Sequence, residues 1–81
     1  MSDASRRLRW LCRRGMGELD RLLQPFFDDA YDRLPVAQQR ALASVLELDD
    51  PELFALLTGR EPIEDPEIAR LVDAIRYHAG H

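Results

Sequence analysis

The sequence predicts an all-α fold, a compact five-helix bundle with short loops. Three observations predict it. Apolar residues recur at three- and four-residue intervals, and no stretch alternates apolar and polar cleanly. Val, Ile and Thr are sparse, so there is little to build strands from. Two segments carry the same helix opening, Asp50-Pro51-Glu52 and Asp65-Pro66-Glu67: a capping carboxylate, a proline in the first turn and an acid near the positive helix end.

The first helix is expected over residues 4–14, with Leu8, Leu11 and Cys12 on one face, Arg6, Arg9 and Arg13 on the other, and Gly15 as the break. Residues 16–31 carry the strongest apolar stripe: Leu19, Leu22, Leu23, Phe26, Phe27 and Ala30. Pro25 lies inside it, but the stripe continues in phase, which favours a kinked helix over a divided one. A third helix starts at Pro35 and runs to about Leu46, burying Ala41, Leu42, Val45 and Leu46. The fourth opens on Asp50 as its cap, buries Leu53, Phe54, Leu56 and Leu57, and stops at Gly59. The fifth buries Ile68, Leu71, Val72 and Ile75 and ends near Tyr77. Residues 1–81 thus read as one helical domain, with 1–4 and 78–81 as frayed ends.

Size and composition bound the chemistry. The chain has 81 residues, 46% hydrophobic and 32% charged, a globular rather than disordered or membrane composition. A domain this small buries only about 60–65% of its unfolded surface. A deep cavity for a small molecule would use up most of that core, which favours an interaction module over an enzyme. The glycines, Gly15, Gly17, Gly59 and Gly80, fit neither a dinucleotide fingerprint nor a P-loop, so no cofactor is expected. No catalytic triad can be drawn from Ser2, Ser5 or Ser44 with the two C-terminal histidines. His78 and His81 are three apart, but they read as solvated tail residues and not as metal ligands. Asp28, Asp29 and Asp32 read as the solvated end of a helix in preference to a cation site.

Cys12 is the lone cysteine, which excludes an internal disulfide and a cysteine zinc cluster and points to a reducing, cytoplasmic setting. Among Leu8, Leu11 and Gly15 it reads as a small buried residue; a reactive thiol beside Arg13 and Arg14 is the alternative. No apolar run is long enough to span a bilayer or to serve as a signal-peptide core, so no membrane insertion is expected.

Charge is divided along the chain. Residues 1–14 hold five arginines and one acid, a net of +4; the remainder carries −8, and there is no lysine. A basic arm on an acidic body suits docking to an acidic protein or a phosphate-bearing ligand. Residues 6–20, RRLRWLCRRGMGELD, concentrate that arm at a helix junction. Gly15 and Gly17 leave a bare patch where a partner's backbone can approach, flanked by Trp10 and Met16, residue types enriched at interfaces. Arg14 and Glu18, four apart, meet on one face if the helix continues through Gly15 and flank a corner if it breaks.

The run Trp10-Leu11-Cys12-Arg13-Arg14-Gly15-Met16-Gly17-Glu18-Leu19-Asp20, followed by Pro25-Phe26-Phe27 and Tyr31, resembles the SdhE family, whose hallmark RGxxE stands here as Arg14 to Glu18. The stretch Leu48-Asp49-Asp50-Pro51-Glu52-Leu53-Phe54 is similar too, so the likeness spans roughly residues 8–77. Gly17 departs from the longer polar residue expected there. The resemblance implies a five-helix bundle that promotes covalent attachment of FAD to the flavoprotein subunit of succinate dehydrogenase and of fumarate reductase. It implies no catalysis of its own, because the partner carries the histidine that joins the flavin. The implied partner-binding residues are Arg14, Gly15, Met16, Gly17 and Glu18, with Arg9, Trp10 and Arg13 beside them, and a monomer is expected. Arg14, Gly15 and Glu18 are then expected at the surface, with little role in stability. Two other readings are an antitoxin-like protein opposing a small membrane partner, and an arginine-arm nucleic-acid binder; the acidic body and a pI near 5.0 oppose the second.

Overall fold

A computed structural model describes residues 2–80. Five α-helices run in the order α1 (Asp3–Leu11), α2 (Gly17–Ala30), α3 (Val36–Val45), α4 (Asp50–Leu57) and α5 (Pro66–Gly80), with one 3-10 turn, Tyr31–Arg33, closing α2. There is no strand among the described residues.

The helix ends follow local chemistry. Ser2 caps α1, its hydroxyl oxygen accepting from the Ser5 N–H at 3.1 Å. That helix ends at Leu11, three residues short of the expected end at Arg14, so Gly15 does not stop it; Gly15 bends the connecting loop with φ +80°. Pro35 is the cap of α3 and not its first helical residue. The cap of α4 is Asp49, which accepts from the Glu52 N–H at 3.1 Å, and not Asp50 as the proline position suggested. Asp50 is the first helical residue, and its side chain is engaged elsewhere. Gly59, at φ +78°, ends α4 in a Schellman arrangement: its N–H bonds Leu56 O at 3.4 Å, and the Arg60 N–H bonds Ala55 O at 3.0 Å. Asp65 caps α5 as expected, accepting from Glu67 and Ile68.

Pro25 does not divide α2. Arg21, whose carbonyl loses its helical donor there, is exposed along with Pro25, so water can supply the missing bond. The opposite face of α2 buries Leu19, Leu23, Phe26 and Phe27. Of the residues expected in the core, Cys12, Leu19, Leu23, Phe26, Phe27, Ala41, Leu42, Val45, Leu46, Leu53, Leu57, Leu71, Val72 and Ile75 are buried, and Tyr31 joins them; Phe54, Leu56 and Ile68 fall short of the expectation and pack half-buried at the margin. Phe27 stacks on Tyr31 with ring centroids 4.4 Å apart. Central in this core, α5 packs on α2, α3 and α4 through Leu71, Val72 and Ile75, whereas α1 rests on α2 and buries none of its own residues fully. The radius of gyration is 11.5 Å, close to the ~12 Å expected of a folded chain this long.

The last turn of α5 continues past Tyr77 to Gly80, where fraying was expected. His78 explains it: its ring meets the edge of Phe26 at 5.8 Å, and its Nε2 lies 2.9 Å from Asp29 Oδ2. His81, the other half of the histidine pair, lies outside the described residues, as does Met1.

Candidate functional site

The corner between α1 and α2 holds the RGxxE residues, and they do not behave alike. Arg14 turns inward. Its side chain is only 12% exposed, and its Nε pairs with Asp50 Oδ1 at 2.9 Å. Its Nη1 donates to Leu11 O at 3.1 Å and to Leu46 O at 2.9 Å, and its Nη2 donates to Leu48 O at 2.5 Å. One planar, always-charged fork thereby ties together the end of α1, the end of α3 and the start of α4. The carbonyls it satisfies lie at the end of α1 and just past the end of α3, where no intrahelical donor reaches. The expected Arg14–Glu18 pair does not form. Nor is Arg14 the freely exposed side chain that a stability-neutral surface role requires.

Asp20 completes the corner, its Oδ1 accepting from the Arg14 backbone N–H at 2.7 Å. This fixes the loop immediately before Gly15. At Gly15 nothing lies within 4 Å of where a side chain would begin, so the backbone is open to the outside. Gly17 starts α2, with only the tip of Arg21 near it at 4.0 Å. Met16 is half-buried against the core, and Glu18 is exposed. The corner therefore presents bare backbone and one free carboxylate over a rigid, arginine-stapled base.

The remaining predicted residues gather on the adjoining face. Trp10 is 67% exposed, an unusual state for so large an apolar ring. The Arg13 guanidinium lies over it, 5.5 Å from the ring centroid. Together with Arg6, Arg9, Asp20 and Gln24, they line an open groove of about 580 Å³. Arg9 is fixed on Asp28 by a bidentate pair, 2.7 and 3.1 Å, and this hydrogen-bonded carboxylate raises its pKa further. Asp28 and Asp29 are thus held by Arg9 and His78.

Cys12 is fully buried beneath this face, and its thiol is pushed up to about 11, chiefly by burial, with nearby Arg9 only partly opposing the shift. It is a core residue, and the reactive-thiol alternative fails on that ground. The sequence singled out neither Asp20 nor Asp50 for this corner. Asp20 looked like a first-turn acid and Asp50 like a cap; Asp20 reaches the Arg14 N–H from six residues on, across the turn into α2, and only the long-range packing of α4 against the α1–α2 loop brings Asp50 to Arg14.

A small helical protein with open grooves and a polar, partly bare corner beside an exposed tryptophan has the surface features of a docking protein. The comparisons are specific about which. Residues 6–79 match the family model described as flavinator of succinate dehydrogenase. A protein of Photobacterium profundum named FAD assembly factor SdhE is 47% identical over 77 residues, covering 95% of this chain and 88% of its own. Proteins of the same name from Shewanella oneidensis and Idiomarina loihiensis are 49% identical, over 74 and 67 residues. They cover 91% and 83% of this chain, and 90% and 74% of their own. The chain belongs to the flavinator of succinate dehydrogenase family.

Proposed function

We propose that this chain is an FAD assembly factor: it docks on the flavoprotein subunit of succinate dehydrogenase and promotes covalent attachment of FAD there. What carries the reading is the family match over nearly the whole chain, with Arg14, Gly15 and Glu18 at a corner where backbone is left bare. The chain performs no bond-making step and holds no cofactor. It stabilises a domain arrangement of the partner in which the flavin and the residue that captures it spend more time within reacting distance.

In this mechanism the motif divides its labour. Arg14 builds the corner, Gly15 gives a partner clearance, and Glu18 offers a carboxylate to a donor on the partner. Trp10 and Arg13 supply an aromatic–cationic flank of the kind enriched in binding hot spots. Fumarate reductase is a second client on the same surface, the working form is a monomer, and the setting is the cytoplasm, where a free thiol is the ordinary state. No specific observation favours the antitoxin or nucleic-acid readings.

The test is covalent flavin on the partner subunit, read as in-gel fluorescence after denaturation. Cells lacking their own assembly factor are complemented with this chain or with its Glu18→Ala variant. The chain should restore fluorescence and Glu18→Ala should restore markedly less. If the unaltered chain, present at normal levels, restores none, the reading is wrong.

A further inference from the structure

Glu18 also borders a second open cleft, of about 580 Å³, between α2, α4 and α5. Leu22, Leu57 and Ala79 line its apolar part, and Arg21 and Arg76 line its charged part. Neither arginine was singled out in the sequence, and the docking corner leaves both unused.

Their situation differs from that of other arginines on the acidic body. Arg70 pairs with Glu67 at 3.0 Å, Arg60 lies over Phe54, and Arg33 bonds the Asp29 carbonyl. Arg21 and Arg76 have no such partner among the described residues, although Glu18 lines the same cleft. Both are nevertheless placed. The guanidinium of Arg76 rests against Gly59, 3.1 Å from where a side chain there would begin, so the glycine that ends α4 also makes room for it. Arg21 reaches back along α2 to Gly17, beside the bare backbone of the corner. The cleft is thus continuous with the corner through Gly17 and Glu18, and it sets two unneutralised cations over an apolar floor on a body whose net charge is negative.

We propose that this cleft is a second docking surface, taking an acidic segment of the flavoprotein that carries an apolar side chain, with Arg21 and Arg76 binding its carboxylates and Leu22 and Ala79 receiving the apolar group. The occupant follows from charge complementarity: guanidinium forks recognise carboxylates in pairs of hydrogen bonds, and the apolar floor beside them suits an apolar neighbour. The inference rests on the proposed assembly function and extends it to a second contact, so that the partner is gripped on two sides of Glu18.

The experiment measures binding of the full chain to purified flavoprotein subunit of succinate dehydrogenase lacking covalent flavin, at about 50 mM and about 500 mM NaCl, concentrations on either side of strong screening. The double variant Arg21→Gln/Arg76→Gln should bind about tenfold or more weakly at low salt, with the gap closing at high salt. Arg21→Lys/Arg76→Lys should recover much of the affinity, since it restores the charge. Both side chains are exposed, so the melting temperature should hold in each variant. Wild-type binding with equal affinity for the Gln variant overturns the second surface and leaves the assembly reading standing. A salt-independent loss that Lys does not recover also overturns it. Failure of the wild-type chain to bind overturns both.

Discussion

Replacing Arg14 by alanine removes one guanidinium and strands four acceptors: the carbonyls of Leu11, Leu46 and Leu48 and the Asp50 carboxylate. Hydrogen bonds from charged groups contribute roughly 1.5–3 kcal/mol each, and a buried acceptor left unmade costs about 1–3. The four terms do not add, because they share one side chain and water can enter the space it vacates. A total of about 3 kcal/mol is the working figure, a large share of the 5–15 typical of a whole domain. For a chain of this length that lowers the melting temperature by roughly 12–24 °C. Arg14→Lys should fall between, since an ammonium keeps the charge but cannot span three carbonyls and a carboxylate from one point. Glu18→Ala, exposed and without a partner in the corner, should melt within a few degrees of wild type. The assay is thermal unfolding followed by circular dichroism at 222 nm. If Arg14→Ala melts within about 2 °C of wild type, the staple contributes nothing and Arg14 is a contact residue after all. The distinction matters for function: loss of flavinylation in Arg14→Ala has a structural origin unless the variant is shown to be folded.

Gly15 holds φ +80°, so Gly15→Arg should cost about 1–2 kcal/mol through backbone strain as well as blocking the bare patch, whereas Gly15→Asn, which tolerates that region, should stay folded. Comparing their melting curves with flavinylation separates strain from lost clearance; equal stability for both would remove the strain component. Phe26→Ala and Phe27→Ala should each lose about 3–5 kcal/mol in denaturant titration, because both rings are buried, and a loss below about 1 kcal/mol would contradict the packing. Cys12 should resist alkylation at pH 8 in the folded protein and react freely in denaturant. Its raised pKa also fixes a sign: between about 9.0 and about 11 the unfolded chain has lost the thiol proton and the folded chain retains it, so stability falls as pH rises through that window. A Cys12→Ala variant should show a shallower alkaline loss, and an identical one would refute the assignment.

The five helices were legible because their signals are local. Apolar spacing marked the buried faces of α2 and α5, and both Asp-Pro-Glu openings marked true helix starts. The errors came where a distant contact outweighed a local rule. Asp50 looked like a cap because it precedes a proline, but Asp49 one residue earlier has the extended backbone that a cap needs, with φ −72° and ψ 168°. Freed from capping, Asp50 meets Arg14 across 36 positions of sequence, a distance no periodicity argument covers. The tail beyond Tyr77 looked frayed because short polar ends ordinarily are, yet Phe26 and Asp29 hold His78 from 52 and 49 positions away in turn, the second separation being that of their hydrogen bond. Arg14 and Glu18 looked like a helical pair because they are four apart, but α1 ends at Leu11 and the two never share a helix.

That last point changes how the RGxxE motif is to be understood. In sequence it is one pattern, and a partner-binding role attaches to all of it equally. In the fold its residues occupy different physical situations: a cation with four acceptors of its own, a glycine whose backbone angle few residues adopt, and a carboxylate with no acceptor or donor engaged at the corner. Gly15, Gly17 and Glu18 have atoms to spare for another molecule, and they stand where they do because Arg14 and Asp20 fix the loop from beneath. A docking surface on so small a protein has to stay rigid without help from a partner, since each contact that must first be ordered weakens binding. Placing the motif's strongest donor inside the fold meets that requirement, and under the proposed function it leaves recognition to the clearance at Gly15, the charge of Glu18 and the arginines on either side.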